Sequence, residues 1–232
     1  MTRTRAKRAD GESANAAQAR PRHAEKLSRE RIITAAVALA EREGGDALSM
    51  HAVARELGTA AMSLYRHVRN REDLLEGMLD RVALSIIHPD PKADPSEEVV
   101  SIFVAIHEAM ARAPWTIPIL MRNDGTSRHM MPLIERILLA LTRLGLDTRS
   151  ARETYIMLLF YAYGDALARA GRIKSAEDAE RPDIYAGFPA IQRTFAGWDA
   201  YAETYEANLR RHLRLLADRA AEQDADASDT FN

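Results

Sequence analysis

Apolar residues recur at helical spacing along almost the whole of this 232-residue chain. The first such segment follows Ser28, where Ile32, Ala36 and Leu39 fall on one helical face. Alanine, the strongest helix former, occupies 41 positions, against 11 glycines and 9 prolines. No stretch shows the sustained apolar–polar alternation of a half-buried strand. The sequence therefore predicts an all-α fold, long enough to bury one large core or two modest ones.

Composition excludes several functional classes. Without cysteine the chain has no disulfide, thiolate nucleophile or cysteine-ligated metal, which fits a reducing compartment. Its longest apolar run, Ile156–Gly164, stops at Asp165 and is too short for a membrane span. The basic, polar segment Met1–Asp10 lacks the apolar stretch of a secretory signal. We expect a cytoplasmic protein with no membrane partner.

The formal net charge of −2 is unevenly distributed. Residues 1–72 carry 14 Lys and Arg against 9 Asp and Glu, so this part is positive and the remainder is acidic. A basic amino-terminal part suits an anionic partner such as DNA, although a basic disordered tail has the same composition.

Capping residues predict where the first helices begin. Ser28, Ser49 and Asn70 each precede a helical pattern and can accept a hydrogen bond from its first turn. A further short helix is predicted at about 61–67. Proline and aspartate between residues 88 and 95 break the pattern. Beyond them we predict helices at about Ser96–Arg112, Ile117–Met121, Met130–Leu144, Thr148–Ala170 and Trp198–Ala221, with a loop at about Arg172–Gly197.

Residues 49–68 have the spacing of a helix-turn-helix. Two short helices that cross closely need a small residue on the first helix, and Ala54 supplies it. The turn needs positive φ, which Gly58 adopts at least cost. Six residues later, Leu64 fills the angle between the helices, and Val53, Leu57 and Val68 complete a small core. An alanine-rich helical hairpin is the alternative.

The segment 31–82 resembles the DNA-binding domain of the tetracycline-repressor (TetR) family. The resemblance rests on five stretches, namely Ile33–Ala36, Ala47–Met50, Val53–Gly58, Ser63–Val68 and Asn70–Leu75. It implies a DNA-binding protein that acts as a homodimer on palindromic double-stranded operator DNA. The rest of the chain resembles the family only in size and helical pattern.

The resemblance also implies roles for individual side chains. Thr59, Ala60, Ala61, Met62 and Ser63 would face bases in the major groove. Ser49, Tyr65, His67 and Arg71 would contact phosphates, and Arg66 would contact either a base or a phosphate. These roles have structural alternatives. Ser49 would act only as a helix cap, and Tyr65 would pack inward. His67 would be a metal ligand, although no second ligand stands at helical spacing. Met50 and His51 are ambiguous between packing and groove contact, and Arg20, Arg22 and Lys26 between a DNA-contacting arm and a solvated tail.

Two apolar stripes in the carboxyl-terminal half suit dimerisation. One is formed by Tyr201, Tyr205, Leu209, His212, Leu213 and Leu216, and the other by Ala151, Tyr155, Leu158, Leu159 and Ala162. Such faces pair with a symmetry mate in a four-helix bundle, as the resemblance implies, or pack within one subunit.

A ligand cavity is predicted in the same half. Methionine and aromatic side chains with a few polar tips form an adaptable apolar site, although each can equally be plain core. The expected lining residues are Phe103, His107, Met110, Trp115, Met130, Tyr155, Leu159 and Tyr163. The residues that hold magnesium-bound tetracycline in the family have no evident counterparts, since Ile87 stands in place of a histidine and Ala111–Pro114 replaces a His-Arg-Asp stretch. We therefore expect no metal and no cofactor.

The sequence thus predicts a ligand-released transcriptional repressor in five parts. These are a disordered basic arm at 1–26, a helix-turn-helix domain at 27–72, a connecting helix at 73–87, a ligand-binding and dimerisation domain at 95–222, and an acidic tail at 223–232. A ligand-independent architectural DNA-binding protein is one alternative. An enzyme is a weaker one, because no catalytic residue is evident, and the nearest candidates, His107–Glu108 and His88–Asp90, are interpreted as ordinary surface or core residues.

Overall fold

The computed structural model describes residues 26–122, 127–175, 187–190, 193 and 204–229, without the side chains of 172–175 and 219–229. Within these residues the chain is all-α, with no β-strand. The predicted arm, apart from its last residue, and most of the loop predicted at 172–197 lie outside them. The helices are α1 (Arg29–Glu43), α2 (Met50–Glu56), α3 (Ala61–Leu64), α4 (Arg71–Leu84), α5 (Pro95–Arg112), α6 (Thr116–Met121), α7 (Met131–Arg143), α8 (Thr148–Ser175) and α9 (Tyr205–Asp229), with single 3-10 turns at Gly45–Ala47 and Arg128–Met130.

Side-chain caps fix the beginnings of the amino-terminal helices. Ser28 Oγ accepts from the Arg31 N–H at 3.2 Å, and Ser49 Oγ accepts from the Ala52 N–H at 3.1 Å. Asn70 Oδ1 accepts from the Asp73 N–H at 2.8 Å. All three predicted caps are confirmed. A fourth, Asp94, was not predicted, and it starts α5 one residue earlier, with Pro95 in the first helical turn.

Three predicted helix ends differ from the structure. α4 ends at Leu84 rather than Ile87, because Ser85 turns back to the carbonyl of Val82. α8 continues past Ala170 to Ser175. α9 begins no earlier than Tyr205, after Thr204, and runs to Asp229 through most of the predicted acidic tail. Alanine, glutamate and glutamine favour helix in that tail, so acidity alone did not end it.

Two apolar cores lie along the chain. The amino-terminal core consists of α1–α4 residues together with Trp115 and Ile119. The body core joins α5, α7, α8 and α9 and includes Ile117. The short helix α6 therefore contributes neighbouring residues to both cores, and Val82 of α4 and Leu120 of α6 pack against both.

The two stripes predicted for dimerisation lie largely inside the protomer. Tyr205, Leu209 and Leu213 of α9 are buried in the body core, as are Ala151, Leu158 and Ala162 of α8. They are covered because α5 packs against both α8 and α9. A neighbouring face of α8 is exposed instead, and it carries Ile156, Met157, Phe160 and Leu167. Tyr201 lies outside the described residues.

Candidate DNA interface and ligand cavity

The turn between α2 and α3 has the geometry that the sequence spacing predicts. Gly58 adopts a φ of +63°, and the Thr59 N–H then donates to the Ala54 carbonyl at 2.9 Å. Ala54 and Leu64 are buried between α2 and α3. The chain therefore breaks sharply at Gly58 instead of continuing as one rod. Leu57, predicted inward, is only half-buried.

The chain segment that follows this turn is open to solvent. α3 is a single helical turn, shorter than the predicted 61–67, and Tyr65–His67 continue it as a non-helical turn. Met62 is 77% exposed and Tyr65 is 47% exposed. None of the ten residues expected to contact DNA is buried: Ser49, Ala60, Met62, Tyr65 and Arg66 are exposed, and Thr59, Ala61, Ser63, His67 and Arg71 are partly exposed.

Two residues left open by the sequence take different positions. Met50 is buried in the amino-terminal core, whereas His51 is exposed on the first turn of α2. Ser49 caps α2 and stays exposed, so the amino terminus of this helix is accessible to an anion.

Asp73 fixes the loop after α3, a role that the sequence did not predict. Its Oδ2 accepts from the Arg69 N–H at 2.8 Å, and its Oδ1 accepts from Arg29 of α1 at 2.9 Å. The Arg69 N–H and the Arg29 guanidinium hold the pKa of Asp73 below its ordinary value. This carboxylate ties the loop before Arg71 to α1.

A cavity of about 240 Å³ lies between the two cores. It is lined by Leu79, Val82, Ala83, Ile86, Ile106, Ala109, Met110, Thr116, Leu120, Met130, Ile134, Tyr155, Leu159 and Tyr163. Five of the eight residues expected to line a ligand site are among these, namely Met110, Met130, Tyr155, Leu159 and Tyr163. Of the described lining residues, none carries a formal charge.

The other three expected residues lie elsewhere. Phe103 is fully buried in the body core, with its ring 6.2 Å from that of Tyr155. His107 is engaged by Asp165, 2.7 Å from its Nε2, and its ring stacks on Tyr205 at 4.0 Å. Burial lowers the pKa of His107, partly offset by the Asp165 carboxylate. Trp115 packs in the amino-terminal core.

Sequence reasoning missed the cavity walls formed by α4 and α6. Helical periodicity marks Leu79 and Val82 as inward-facing, but it does not distinguish a residue beside a cavity from one in solid core. Thr116 is the one polar residue of α6 at the cavity, and its hydroxyl donates to the Ala113 carbonyl at 2.8 Å.

α6 also contacts the turn that precedes α2. A Cβ added to Gly45 would lie 2.9 Å from the Trp115 carbonyl oxygen, so only glycine fits there without displacement. Arg122 pairs with Asp46 of the same turn at 3.1 Å. A helix that lines the cavity through Thr116 thus abuts the chain leading to Ser49.

Other kinds of site are not evident in the described part of the chain. It contains no group of three or more His, Cys, Asp or Glu side chains placed to hold a metal ion. No helix among the described residues has the length and apolarity needed to cross a membrane.

Comparison with known proteins gives matches over both cores. A family profile for bacterial regulatory proteins of the tetR family matches residues 32–78. A second profile, for a tetracyclin repressor-like C-terminal domain, matches residues 88–215. The HTH-type transcriptional repressor DrrR1 of Streptomyces coeruleorubidus is 34% identical over 148 residues, which are 60% of this chain and 53% of that protein. The chain thus spans about half the length of this relative.

Solved structures share the fold. Apo ActR from Streptomyces coelicolor superposes with a TM-score of 0.67 and 24% identity, covering 85% of this chain and 98% of that one. ActR in complex with actinorhodin gives a TM-score of 0.61 and 22% identity over 85% and 96% of the two chains. BioQ, a protein of Mycobacterium smegmatis, in complex with its double-stranded DNA operator gives 0.55 and 17% over 75% and 100%.

Proposed function

This chain belongs to the TetR family of bacterial transcriptional regulators, and we propose that it represses genes by binding palindromic operator DNA as a homodimer until a small apolar ligand releases it. The observation that carries the proposal is the turn at Gly58, which leaves Thr59–Ser63 facing solvent at the tip of the amino-terminal core. The operator complex of BioQ and the actinorhodin complex of ActR are consistent with both parts.

In this proposal the exposed side chains divide into two groups. Thr59–Ser63 read base edges in the major groove, with Ala61 and Met62 offering apolar contacts to thymine methyl groups. Ser49, Tyr65, His67 and Arg71 contact phosphates, which fix the position of α3 without reading sequence. Arg66 reaches either a base or a phosphate. The helix-turn-helix domain comprises 27–72, and 73–87 connects it to the ligand-binding and dimerisation domain at 95–222.

Dimerisation in this proposal uses the exposed face of α8. Ile156, Met157, Phe160 and Leu167 form an apolar surface beside the stripe that the protomer buries, and Leu215 of α9 is exposed as well. Two α8–α9 pairs related by a dyad form a four-helix interface. The dyad would set the α3 helices of the two protomers one DNA turn apart, about 34–36 Å, which matches a palindromic operator.

Ligand release in this proposal uses both α4 and α6. The cavity is lined by Leu79 and Val82 of α4, whose amino terminus carries Arg71, and by Thr116 of α6, which abuts the Gly45 turn. A ligand that fits one arrangement of these helices better than the other shifts the dimer between DNA-competent and released states. Coupling of about 1–3 kcal/mol is typical of such regulators.

A cavity distinguishes this proposal from a ligand-independent architectural protein, which needs only a solid core.

The experiment is a fluorescence-anisotropy titration of the full chain against DNA from the promoter region beside its own gene, with scrambled DNA of the same length as control. We expect saturable binding with a two-protomer stoichiometry. Equal affinity for promoter and scrambled DNA would contradict operator recognition.

A further inference from the structure

The lining residues that the structure describes make the cavity between the cores electrically neutral. It is walled by Ile106, Met110 and Ile134, among other apolar residues, and by three residues with hydroxyl groups. Burying an ionised carboxylate or ammonium group without a partner is strongly unfavourable. The lining therefore disfavours a ligand with a formal charge.

The polar groups of the cavity are unequally distributed. Tyr155, Leu159 and Tyr163 repeat every four residues on α8 and so lie on one helical face. Neither tyrosine hydroxyl makes a hydrogen bond to any residue that the structure describes. Burial and the nearby Tyr155 raise the pKa of Tyr163 to about 12, so this phenol keeps its proton and can donate it.

The opposite hydrogen-bonding character is found on α6. The Thr116 hydroxyl gives its one proton to the Ala113 carbonyl at 2.8 Å, so only its lone pairs remain for a ligand. Among the described lining residues, the side-chain hydroxyls thus provide donors on the α8 wall, from Tyr155 and Tyr163, and an acceptor on the α6 wall, from Thr116.

Cavity size limits the ligand further. The volume of about 240 Å³ lies just below the ~300–1,000 Å³ of pockets that enclose drug-sized ligands. A fused two-ring body is of the right order, and the flexible Met110 and Met130 side chains allow some adjustment of shape.

We infer that this site takes an uncharged, mainly apolar ring compound whose carbonyl or ether oxygen accepts hydrogen bonds from Tyr155 and Tyr163. The inference rests on the proposed function in taking the cavity as the effector site. Tyr155 and Tyr163 then determine specificity, and a formal charge on a compound excludes it from the cavity.

The test uses three probes of similar shape. 2-Acetylnaphthalene is neutral and has a carbonyl acceptor, 2-ethylnaphthalene lacks the acceptor, and 2-naphthoate carries a negative charge. Calorimetric titration of the full chain is expected to give an affinity for the ketone roughly 5- to 100-fold above that for the hydrocarbon, as two net hydrogen bonds provide. Affinity for the carboxylate is expected to be at least about 100-fold below that for the ketone.

Matched variants locate the hydrogen bonds. Tyr155→Phe and Tyr163→Phe remove only the hydroxyls, and together they should abolish the preference for the ketone over the hydrocarbon. Tyr161→Phe is the control, because that ring lies on the same helix but stacks on Tyr205 at 5.2 Å instead of lining the cavity. It should leave all three affinities unchanged.

The outcomes separate this inference from the proposed function. Absence of ketone binding, equal binding of 2-naphthoate, or a ketone preference that survives the double Phe variant would overturn the ligand class. Operator binding is measured on the same preparations by anisotropy. If the ligand results fail but operator binding is intact, only the inferred ligand class is wrong. If the ketone binds but the operator is not recognised, only the proposed function is contradicted.

Discussion

Asp73 shows how one carboxylate organises the surface expected to meet DNA. It is buried at the start of α4, and its two oxygens are used by the Arg69 N–H and by Arg29 of α1. These bonds fix the loop between Val68 and Arg71, so a buried residue outside the proposed set of DNA contacts positions side chains within that set.

We expect Asp73→Asn to lower the free energy of unfolding at pH 7 by about 1–2 kcal/mol, discounted because Arg29 is half-exposed. Because the folded pKa lies below the ordinary 3.8, this stabilisation is present above about pH 4 and is lost as pH falls through the folded pKa. Urea unfolding at pH 7 and pH 3 measures the difference between wild type and variant, which should narrow in acid. Glu76→Gln, at an exposed position of α4, is the control.

Tyr65 and Met62 should respond differently on DNA. Tyr65→Phe removes a proposed phosphate contact, so affinity should fall roughly 2- to 10-fold for operator and scrambled DNA alike. Met62→Ala should change the ratio of operator affinity to scrambled-DNA affinity, because the proposed contact of Met62 is with bases. Anisotropy titrations measure both, with the exposed Leu139→Ala on α7 as control. A uniform loss for Met62→Ala would place its side chain away from the bases.

Single residues also mark the limit of sequence reasoning. Ala54, Gly58 and Leu64 were identifiable because a helix-turn-helix needs those residue types at fixed local spacing. The pairing of His107 was not, because its partner Asp165 is 58 positions away and packing alone brings the two within 2.7 Å. An apolar pattern likewise marks Phe103 and Met110 equally as inward, although only Met110 lines the cavity.

Among the helices, α6 has the least local signal for its position. Its six residues have no side-chain cap, yet Thr116 and Leu120 line the cavity while Ile119 is buried in the amino-terminal core. Beginnings set by Ser28, Ser49 and Asn70 were predictable from local chemistry. The ends of α8 and α9 were not: α8 continues through Gly171, the residue that follows its predicted end, and no glycine or proline follows the predicted end of α9 at Ala221.

Enlarging Gly45 tests the contact between α6 and the turn before α2. In Gly45→Ala the new Cβ would lie 2.9 Å from the Trp115 carbonyl, so turn and helix must separate. We expect a loss of about 1–3 kcal/mol in unfolding free energy and weaker operator binding, although Gly45 is not among the residues proposed to contact DNA. Urea unfolding and anisotropy measure the two effects.

The control for this change is Gly171→Ala in α8, where an added Cβ meets nothing within 4 Å. It should be neutral or slightly stabilising, since alanine favours helix by about 0.5–1 kcal/mol over glycine. Operator affinity unchanged in Gly45→Ala would show that α6 does not act on the DNA-binding side.

On the scale of the whole molecule, the exposed face of α8 is the surface proposed to join two protomers. Several apolar side chains on this face stay exposed in the protomer. Among them, Phe160 is 56% exposed. The stripe of α8 that the sequence suggested for dimerisation is buried within the protomer, because both faces of α8 carry apolar residues and only the fold shows which one α5 covers.

Phe160→Glu should therefore yield a monomer, because a charge placed opposite its own symmetry copy is costly to bury. Operator affinity should fall toward the ~10⁻⁴–10⁻⁶ M range of nonspecific binding. Sedimentation velocity measures the mass, and anisotropy measures the affinity. Leu139→Glu, an equally exposed apolar position on α7, is the control and should remain dimeric. A dimeric Phe160→Glu protein would move the interface elsewhere.

The sharing of α6 between two cores has a thermodynamic consequence. Ile117 is fully buried in one core and Ile119 in the other, so melting either core uncovers a residue of the same short helix. Neither half of the chain then loses its packing independently, and heating should give one calorimetric endotherm for residues that two family profiles divide into two regions. For the same reason, a compound bound in the neighbouring cavity should raise the melting temperature of the DNA-binding half, because it stabilises both halves together.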